Sequence, residues 1–346
     1  MKRDAMSTVE DIDIDADAAT DATTNATMHR QGAPSLSCVI PCHNEARNLE
    51  QLLPLLASVL DGCSRAWEVI LVDDGSADDT LDVALQWADR PGFRCLQLSR
   101  NFGKEAALTA GLQEATGEVV VMMDADMQHP PMLIPEFVRH WHDGADVAYA
   151  QRESREDENM LKRLGVRGFY ALVNAADGVE VPAGAGDFRL MDRMVVDALL
   201  ALPERNRFMK GLYAWVGFRT VAVPYVPPPR AHGQSKFNLL RLIGLSLDGL
   251  TAFTHWPLRV VSALGIIMAV PAFIYGGFLT ISYLLYGHEV SGWTTIVVSL
   301  MLFVGIQLVS LGVVGEYVGR IFEEVKARPL FVVRSRVGRG MRVARK

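Results

Sequence analysis

Val119-Val120-Val121-Met122-Met123-Asp124-Ala125-Asp126-Met127-Gln128-His129-Pro130 is the stretch on which the reading of this chain turns. Five apolar residues in a row, three of them valine, read as a short strand buried on both faces. The run stops at two carboxylates two residues apart. In open α/β sheets ligands gather at the carboxyl ends of strands, so acids at this point are placed for chemistry. Asp124 and Asp126 suit a hard divalent cation, Mg²⁺ or Mn²⁺, shared with substrate phosphates. Such an ion neutralises charge on a departing phosphate group. Asp-x-Asp alone also describes many solvated loop acids; the buried strand before it and Gln128-His129-Pro130 after it favour a site.

The same alternation runs outward. Leu36-Ser37-Cys38-Val39-Ile40 is a second apolar strand, stopped by Pro41. Residues 44–60 carry Leu49, Leu52, Leu53, Leu56 and Leu60 at helical spacing. Strands are expected at 67–72 and 93–98, helices at 78–88 and 104–115. Strand and helix in turn predict an α/β domain over residues 35–233, a parallel sheet with helices on its faces. The polar clusters fall after Ile40, Val72, Leu98 and Met123, which puts them all at one edge of that sheet.

Each cluster has a chemical and a local reading. In Val72-Asp73-Asp74-Gly75-Ser76, Asp73 and Asp74 can accept hydrogen bonds from ribose hydroxyls or a base edge, whereas Asp78 and Asp79 suit a helix N-cap. In Pro41-Cys42-His43-Asn44-Glu45, Asn44 and Glu45 open a helix or touch a ligand. In Arg100-Asn101-Phe102-Gly103-Lys104-Glu105, Gly103 allows close backbone approach, and Arg100 and Lys104 offer positive charge to a diphosphate. The Gly-Lys-Ser/Thr ending of a Walker loop is missing.

Bulk composition adds the rest. The 346 residues carry a net charge of -6, but unevenly: the first thirty-four hold seven acids against three bases, and residues 320–346 hold nine bases against two acids. Residues 1–34 lack the apolar run of a signal peptide and read as a disordered acidic tail. The four cysteines include no Cys-x-x-Cys pair and read as reduced, mostly buried thiols. Residues 234–257 mix Lys236, Arg241 and Asp248 with many leucines. They suit amphipathic helices in a membrane interface, or an ordinary core helix. Val260–Gly287 and Val290–Gly315 contain no charged side chain. At about 1.5 Å per residue each is long enough for a hydrocarbon core of about 30 Å, so 258–319 is expected to form two transmembrane helices. The bases flanking them, in a basic C-terminal tail over 320–346, put the catalytic domain and C-terminus in the cytoplasm. Gly276, Gly277, Gly305 and Gly312 suit close helix packing between copies, hence a homo-oligomer, with a tetramer among the options. No nucleic-acid partner is expected.

Pro41-Cys42-His43-Asn44-Glu45, Val72-Asp73-Asp74-Gly75-Ser76, Asn101-Phe102-Gly103-Lys104 and Asp124 to Pro130, in this order, resemble the family 2 glycosyltransferases of GT-A, Rossmann-like fold. Within them the chain is most similar to polyprenyl-phosphate glycosyltransferases: dolichyl-phosphate mannose synthase and the bacterial undecaprenyl-phosphate glucosyl- and aminoarabinosyl-transferases. The resemblance spans about residues 35 to 330. It implies a nucleotide-sugar site at Pro41, Asn44, Glu45, Asp73, Asp74, Lys104 and Asp124, and a metal at Asp124 and Asp126. Asp126, Gln128 and Asp187, the last within Gly186-Asp187-Phe188-Arg189-Leu190, fall at catalytic positions. Arg205, Arg207, Arg230, Ser235 and Lys236 match motifs that grip a lipid phosphate; a plain surface charge pair stands beside that role for Arg205 and Arg207. Asp187 is either a base or a positioning group, since a lipid phosphate is already anionic. The implied activity is single-displacement, inverting transfer of glucose from UDP-glucose to undecaprenyl phosphate in the bilayer. UDP-aminoarabinose, UDP-N-acetylhexosamine and GDP-mannose are alternative donors, and a catalytically silent scaffold for a flippase or exporter is an alternative of another class. The Gln-x-x-Arg-Trp motif of processive synthases is absent.

Overall fold

The computed structural model describes residues 30, 32–152, 185–205, 207, 209–226, 256–286 and 292–343. Its first half follows the alternation. β1 (Ser35–Cys42), α1 (Ala46–Cys63), β2 (Ala66–Asp73), α2 (Thr80–Ala88), β3 (Phe93–Leu98), α3 (Lys104–Glu114) and β4 (Val119–Met122) come in turn. A 3₁₀ turn at Pro131–Leu133 leads into α4 (Ile134–His142) and β5 (Val147–Arg152). Then come β6 (Ala185–Asp192), α5 (Arg193–Ala201), α6 (Met209–Trp215) and β7 (Thr220–Tyr225). Two long helices, α7 (Trp256–Tyr286) and α8 (Trp293–Lys326), precede β8 (Val333–Gly338) and β9 (Arg342–Val343).

The strands form one sheet in the order β7-β5-β6-β4-β1-β2-β3-β8, with β9 pairing β2. β4, β1, β2 and β3 are parallel, as the alternation predicts. The sheet as a whole is mixed, because β6 is antiparallel to β4 and β5, and β8 is antiparallel to β3. Successive side chains of a strand point to opposite faces. Leu36, Cys38 and Ile40 accordingly join α1, α2 and α4 in one core, while Val39, Ile70 and Val72 join α3, α5 and α6 in the other. Gly111 of α3 lies against the second face so closely that a Cβ there would overlap the Val39 side chain. Gly111→Ala should therefore destabilise the domain by about 1–3 kcal/mol through overpacking, read as a lower thermal unfolding midpoint with the secondary structure kept.

The chain winds outward from β1 to β2 and β3. α3 then carries it back across to β4 on the other side of β1. The loops leaving β1 and β4 thus part in opposite directions, and the crevice between them is a switch point where ligands bind.

Three expectations need correction. Residues 320–346 are not a free basic tail: α8 runs to Lys326, and β8 and β9 add to the sheet. The tail reading failed because a basic stretch exposed on one face of an edge strand looks, in sequence, like a solvated run. The N-terminal tail does not extend to residue 34. The Arg30 guanidinium donates to the carbonyls of Trp141 and Ala145 and lies 2.7 Å from Asp146. The first helix begins at Ala46 rather than Asn44, whose φ of 59° is left-handed and incompatible with a helix start. The interface helices expected over 234–257 lie outside the described residues up to 255.

Along α7 and α8 large apolar side chains stand uncovered by the rest of the chain, among them Ile274, Leu284, Leu308 and Val325. Among the described residues one helical segment, Phe303–Lys326, is long and apolar enough by composition to cross a membrane. The expected pair of transmembrane spans over 258–319 is not shown by this one segment.

Candidate active site

At the switch point lies a cleft of about 370 Å³, walled by Pro41, Cys42, His43, Glu45, Asp74, Asn101, Gly103, Lys104, Ala107, Asp124, Ala125 and Asp126. Four strand-end loops contribute. The loop after β2 is closed by Asp73, whose Oδ1 accepts the Ser76 N–H. At Gly75, φ is +65°, and a Cβ would sit 2.5 Å from the Asn101 nitrogen. Only glycine lets the loops after β2 and β3 come this close. Asp74 joins them: its two carboxylate oxygens accept the N–H groups of Phe102 (2.7 Å) and Gly103 (2.9 Å). Asp74 is therefore both a cleft wall and the clamp that sets the Arg100–Lys104 loop.

Asn44 has a similar office. Its Oδ1 accepts the Ala77 N–H at 2.8 Å and its own N–H donates to Ser76 Oγ. Asp78 caps α2 by accepting from the Thr80 N–H and hydroxyl, whereas Asp79, at the N-cap position, makes no such bond. The structure brings Pro41, Glu45, Asp74, Lys104, Asp124 and Asp126 together in the cleft. Asn44, Asp73 and Gln128 shape its rim from behind, Gln128 by donating its N–H to Asp126 Oδ1.

The cleft holds four acids, Glu45, Asp74, Asp124 and Asp126, against one lysine. Burial, and then the charges of Asp126, Asp124 and Asp78, push Glu45 above the usual carboxylate range, against a hydrogen bond from Asn48. Lys104 Nζ sits 2.6 Å from Asp124 Oδ1 and 2.6 Å from Asp187 Oδ2. Burial works against its charge, yet those two carboxylates raise its pKa and hold it as an ammonium. Asp187 in turn is held below the usual carboxylate range: burial opposes ionisation, and Lys104, Lys210 and Arg189 outweigh it.

Motif residues without an assigned role in the sequence reading supply the supports. His129 Nδ1 accepts the Asp124 N–H at 3.1 Å, and its ring stacks 5.0 Å from Phe188. Arg189 is buried with its guanidinium 3.5 Å over the Tyr213 ring, and it donates to the Gly186 carbonyl. It thereby braces the start of β6, which carries Asp187. His43 faces the Asp74 carbonyl at 3.0 Å. His129 and Arg189 lay inside quoted motifs, so a polar residue flanking a site acid was the available signal.

A second cavity, about 260 Å³, adjoins the cleft and shares Gly103 and Lys104 with it. Arg205, Arg207, Glu105 and Leu330 line its far side. The Arg207 guanidinium donates to the carbonyls of Leu202 and Glu204, and its Nη1 is buried without a partner. The Arg205 N–H donates to Glu324 Oε1 of α8. Arg230, Ser235 and Lys236 lie outside the described residues.

Fold and site define the class: an α/β enzyme with an acidic cleft at the switch point of a mixed sheet. The chain belongs to glycosyl transferase family 2, whose model matches residues 37–200. An uncharacterized glycosyltransferase of Synechocystis is 44% identical over 299 residues, covering 86% of this chain and 94% of that protein. The bactoprenol glucosyl transferase of Shigella phage SfX is 39% identical over 307 residues, 87% of this chain and 99% of its own. Among solved structures, glucosyl-3-phosphoglycerate synthase of Mycobacterium tuberculosis, in complex with Mn²⁺, UDP-glucose and phosphoglyceric acid, aligns with a TM-score of 0.43 at 21% identity, over 64% of this chain and 78% of that one.

Proposed function

We propose that this chain transfers glucose from UDP-glucose to the phosphate of a polyprenyl phosphate such as undecaprenyl phosphate, with inversion, at the cytoplasmic face of a membrane. The observation that carries the reading is the pairing of two pockets across Lys104: an acidic cleft at the strand ends and a cavity lined by Arg205 and Arg207 beside it. The likeness to bactoprenol glucosyl transferases over nearly their whole length supports glucose and a polyprenyl acceptor.

The acidic cleft repels a bare diphosphate, so a cation belongs with the donor. Among the described residues no group of three or more His, Cys, Asp or Glu forms a ready metal cage. Mg²⁺ and Mn²⁺ sites of this class need only one or two carboxylates plus substrate phosphates, a donor set that Asp124 and Asp126 fit. When bound, the ion supplies charge neutralisation to the leaving nucleoside diphosphate. The chain's own residues do the rest. Asp74 and Glu45 face the nucleoside side of the cleft. Lys104 offers its ammonium to a phosphate from either pocket. Asp187 holds that lysine in place. The acceptor is already anionic, so its oxygen needs no base, and Asp187 is read as a positioning group.

The remaining parts are proposals of the same kind. Residues 35–233 form the catalytic domain, 234–257 lie in the membrane interface, and 258–319 cross the bilayer twice; the uncovered apolar surface of α7 and α8 supports this. Arg230, Ser235 and Lys236 are assigned to binding the lipid phosphate. Gly277, Gly305 and Gly312 have open space where a Cβ would stand, which suits packing into a homo-oligomer.

The direct experiment offers membranes containing the full chain a panel of radiolabelled nucleotide-sugars with undecaprenyl phosphate, then extracts the lipid. Label from UDP-glucose in the lipid phase, lost on chelation and restored by Mg²⁺ or Mn²⁺, is expected; label from another donor alone replaces glucose in the reading, and none from any donor ends it. Arg207→Ala should raise the acceptor KM by about 10- to 100-fold, as loss of a charged hydrogen bond of about 1.5–3 kcal/mol requires. The donor KM should move far less.

A further inference from the structure

Among the described residues Glu105 is the one acid that lines the basic cavity, and the reading above gives it no part in holding the donor or the metal. It follows Lys104 in the first turn of α3 and shares the cavity wall with Arg205 and Arg207. The Met209 backbone N–H lies near enough to favour the ionised form. One carboxyl oxygen, Oε2, is buried with no hydrogen-bond partner. A buried, ionised oxygen left unpaired is costly, and a neutral carboxyl group is not under the same penalty. The charged groups that face Glu105 are Lys104 on its own helix, Asp187 on β6 and Lys210 on α6, with Arg205 and Arg207 across the cavity. Burial, then repulsion from Asp187, outweighs the two lysines and pushes the carboxyl up to about 7.

We propose that Glu105 binds the acceptor phosphate as a neutral carboxyl group, its O–H donating a hydrogen bond to a phosphate oxygen. The proposal rests on the reading of the basic cavity as the acceptor site. A phosphate monoester arrives with nearly two negative charges, which a carboxylate at this position repels and a carboxylic acid welcomes. Acceptor binding therefore draws one proton from solvent onto Glu105 whenever that residue is ionised beforehand. The transfer itself needs no proton. The bond from the anomeric carbon to the donor's phosphate oxygen breaks, the bond to the acceptor's phosphate oxygen forms, and the electron pair leaves with the nucleoside diphosphate. The product is a phosphodiester with a single charge, so its hold on the Glu105 proton is weaker and the proton returns to solvent as product leaves.

The sign of the pH dependence follows. Binding requires the protonated form, so acceptor affinity falls as pH rises above the carboxyl's pKa. Glu105→Gln keeps an N–H donor in the same place and cannot ionise. The test measures the KM of farnesyl monophosphate with the full-length enzyme in detergent, at saturating UDP-glucose, from about pH 6 to about pH 8.5. The quotient of wild-type to E105Q acceptor KM should be flat below about 7 and climb about tenfold per pH unit above it. Titration of the phosphate itself is common to both enzymes and cancels. A quotient constant across the range overturns the proposal. Calorimetry of farnesyl monophosphate binding to the wild type, in two buffers of different protonation enthalpy near pH ~8, keeps the test decisive if E105Q misfolds: uptake close to one proton supports the proposal, and no uptake overturns it. Arg207→Ala separates the two levels. If R207A leaves the acceptor KM unmoved, the cavity is not the acceptor site; if R207A raises it while the quotient stays flat, the role of Glu105 alone falls.

Discussion

Asp124→Asn is expected to lower glucose transfer by about three orders of magnitude or more, because several kcal/mol of transition-state charge stabilisation depend on it. Asp124 is the acid that touches both the cleft and Lys104. Asparagine keeps its shape but neither its charge nor its share of the ammonium, which would then lean wholly on Asp187. The leaving diphosphate would lose the carboxylate meant to hold its counter-ion. The side chain is partly exposed, so folding should survive, with an unfolding midpoint within a few degrees of the wild type. The kinetic signature is a fall in kcat with stability kept. Asp126→Asn should behave alike. Asp187→Asn should cost less, on the order of 10- to 100-fold, since in this reading it positions Lys104 and takes no proton. A D124N enzyme within tenfold of the wild type would show that the acids at the end of β4 are not where the diphosphate sits. A D187N enzyme as dead as D124N, with the acid limb of its pH–rate profile gone, would instead make Asp187 the base.

The parallel half of the fold and the acids of its crevice were legible because both depend on local pattern. A strand buried on both faces must be apolar along its length, as Val119–Met122 is, and its end must turn polar. Asp124 and Asp126 followed from that boundary together with Gln128-His129-Pro130 after it. Less legible was the division of labour among the acids. Asp73, Asp74 and Asn44 look alike as ligand candidates in sequence, yet the structure uses Asp73 and Asn44 to set turns and gives Asp74 a clamp between two loops. Asp73 closes a local turn onto Ser76, but the N–H groups that Asn44 and Asp74 meet lie in loops about thirty residues away, and no local pattern carries that. The same holds for Glu105: its sequence neighbours mark it as an ordinary helix-start acid, and nothing local shows that one of its carboxyl oxygens is withdrawn from solvent. The antiparallel strands were missed for a related reason. β6 and β8 owe their place to pairing with strands far along the chain, and Val333–Gly338 is a short, largely exposed stretch with two arginines, Arg334 and Arg336, in place of an apolar run.

That C-terminal strand leads to the second large effect. Removing residues 328–346 should abolish transfer and lower the unfolding midpoint of the catalytic domain by roughly 10 °C, as a loss of several kcal/mol from a domain of this size implies. The segment bonds to the site at every step. Leu330 lines the basic cavity. Phe331 and Val333 pack on the core beneath α3. The Val332 carbonyl accepts the Ser99 N–H at 2.8 Å, immediately before the Arg100–Lys104 loop. β8 then pairs with β3 from Leu98 back to Arg94, and Arg336 bridges to Glu114, which also holds Arg94. Without β8, β3 becomes an open edge, and the loop that presents Gly103 and Lys104 loses its anchor on the β3 side, leaving Asp74, the Asn101–His43 contact and the Lys104 ion pairs. α8 ends at Lys326, so the chain must leave that helix and return to the sheet, tying the position of the cleft to the helix. Phe331→Ala is the gentler version, expected to cost a few degrees of stability and to raise the KM for both substrates with the sheet intact. Full activity in the truncated enzyme would mean that the edge strand is dispensable and that Asp74 and the ion pairs of Lys104 suffice to hold the Arg100–Lys104 loop.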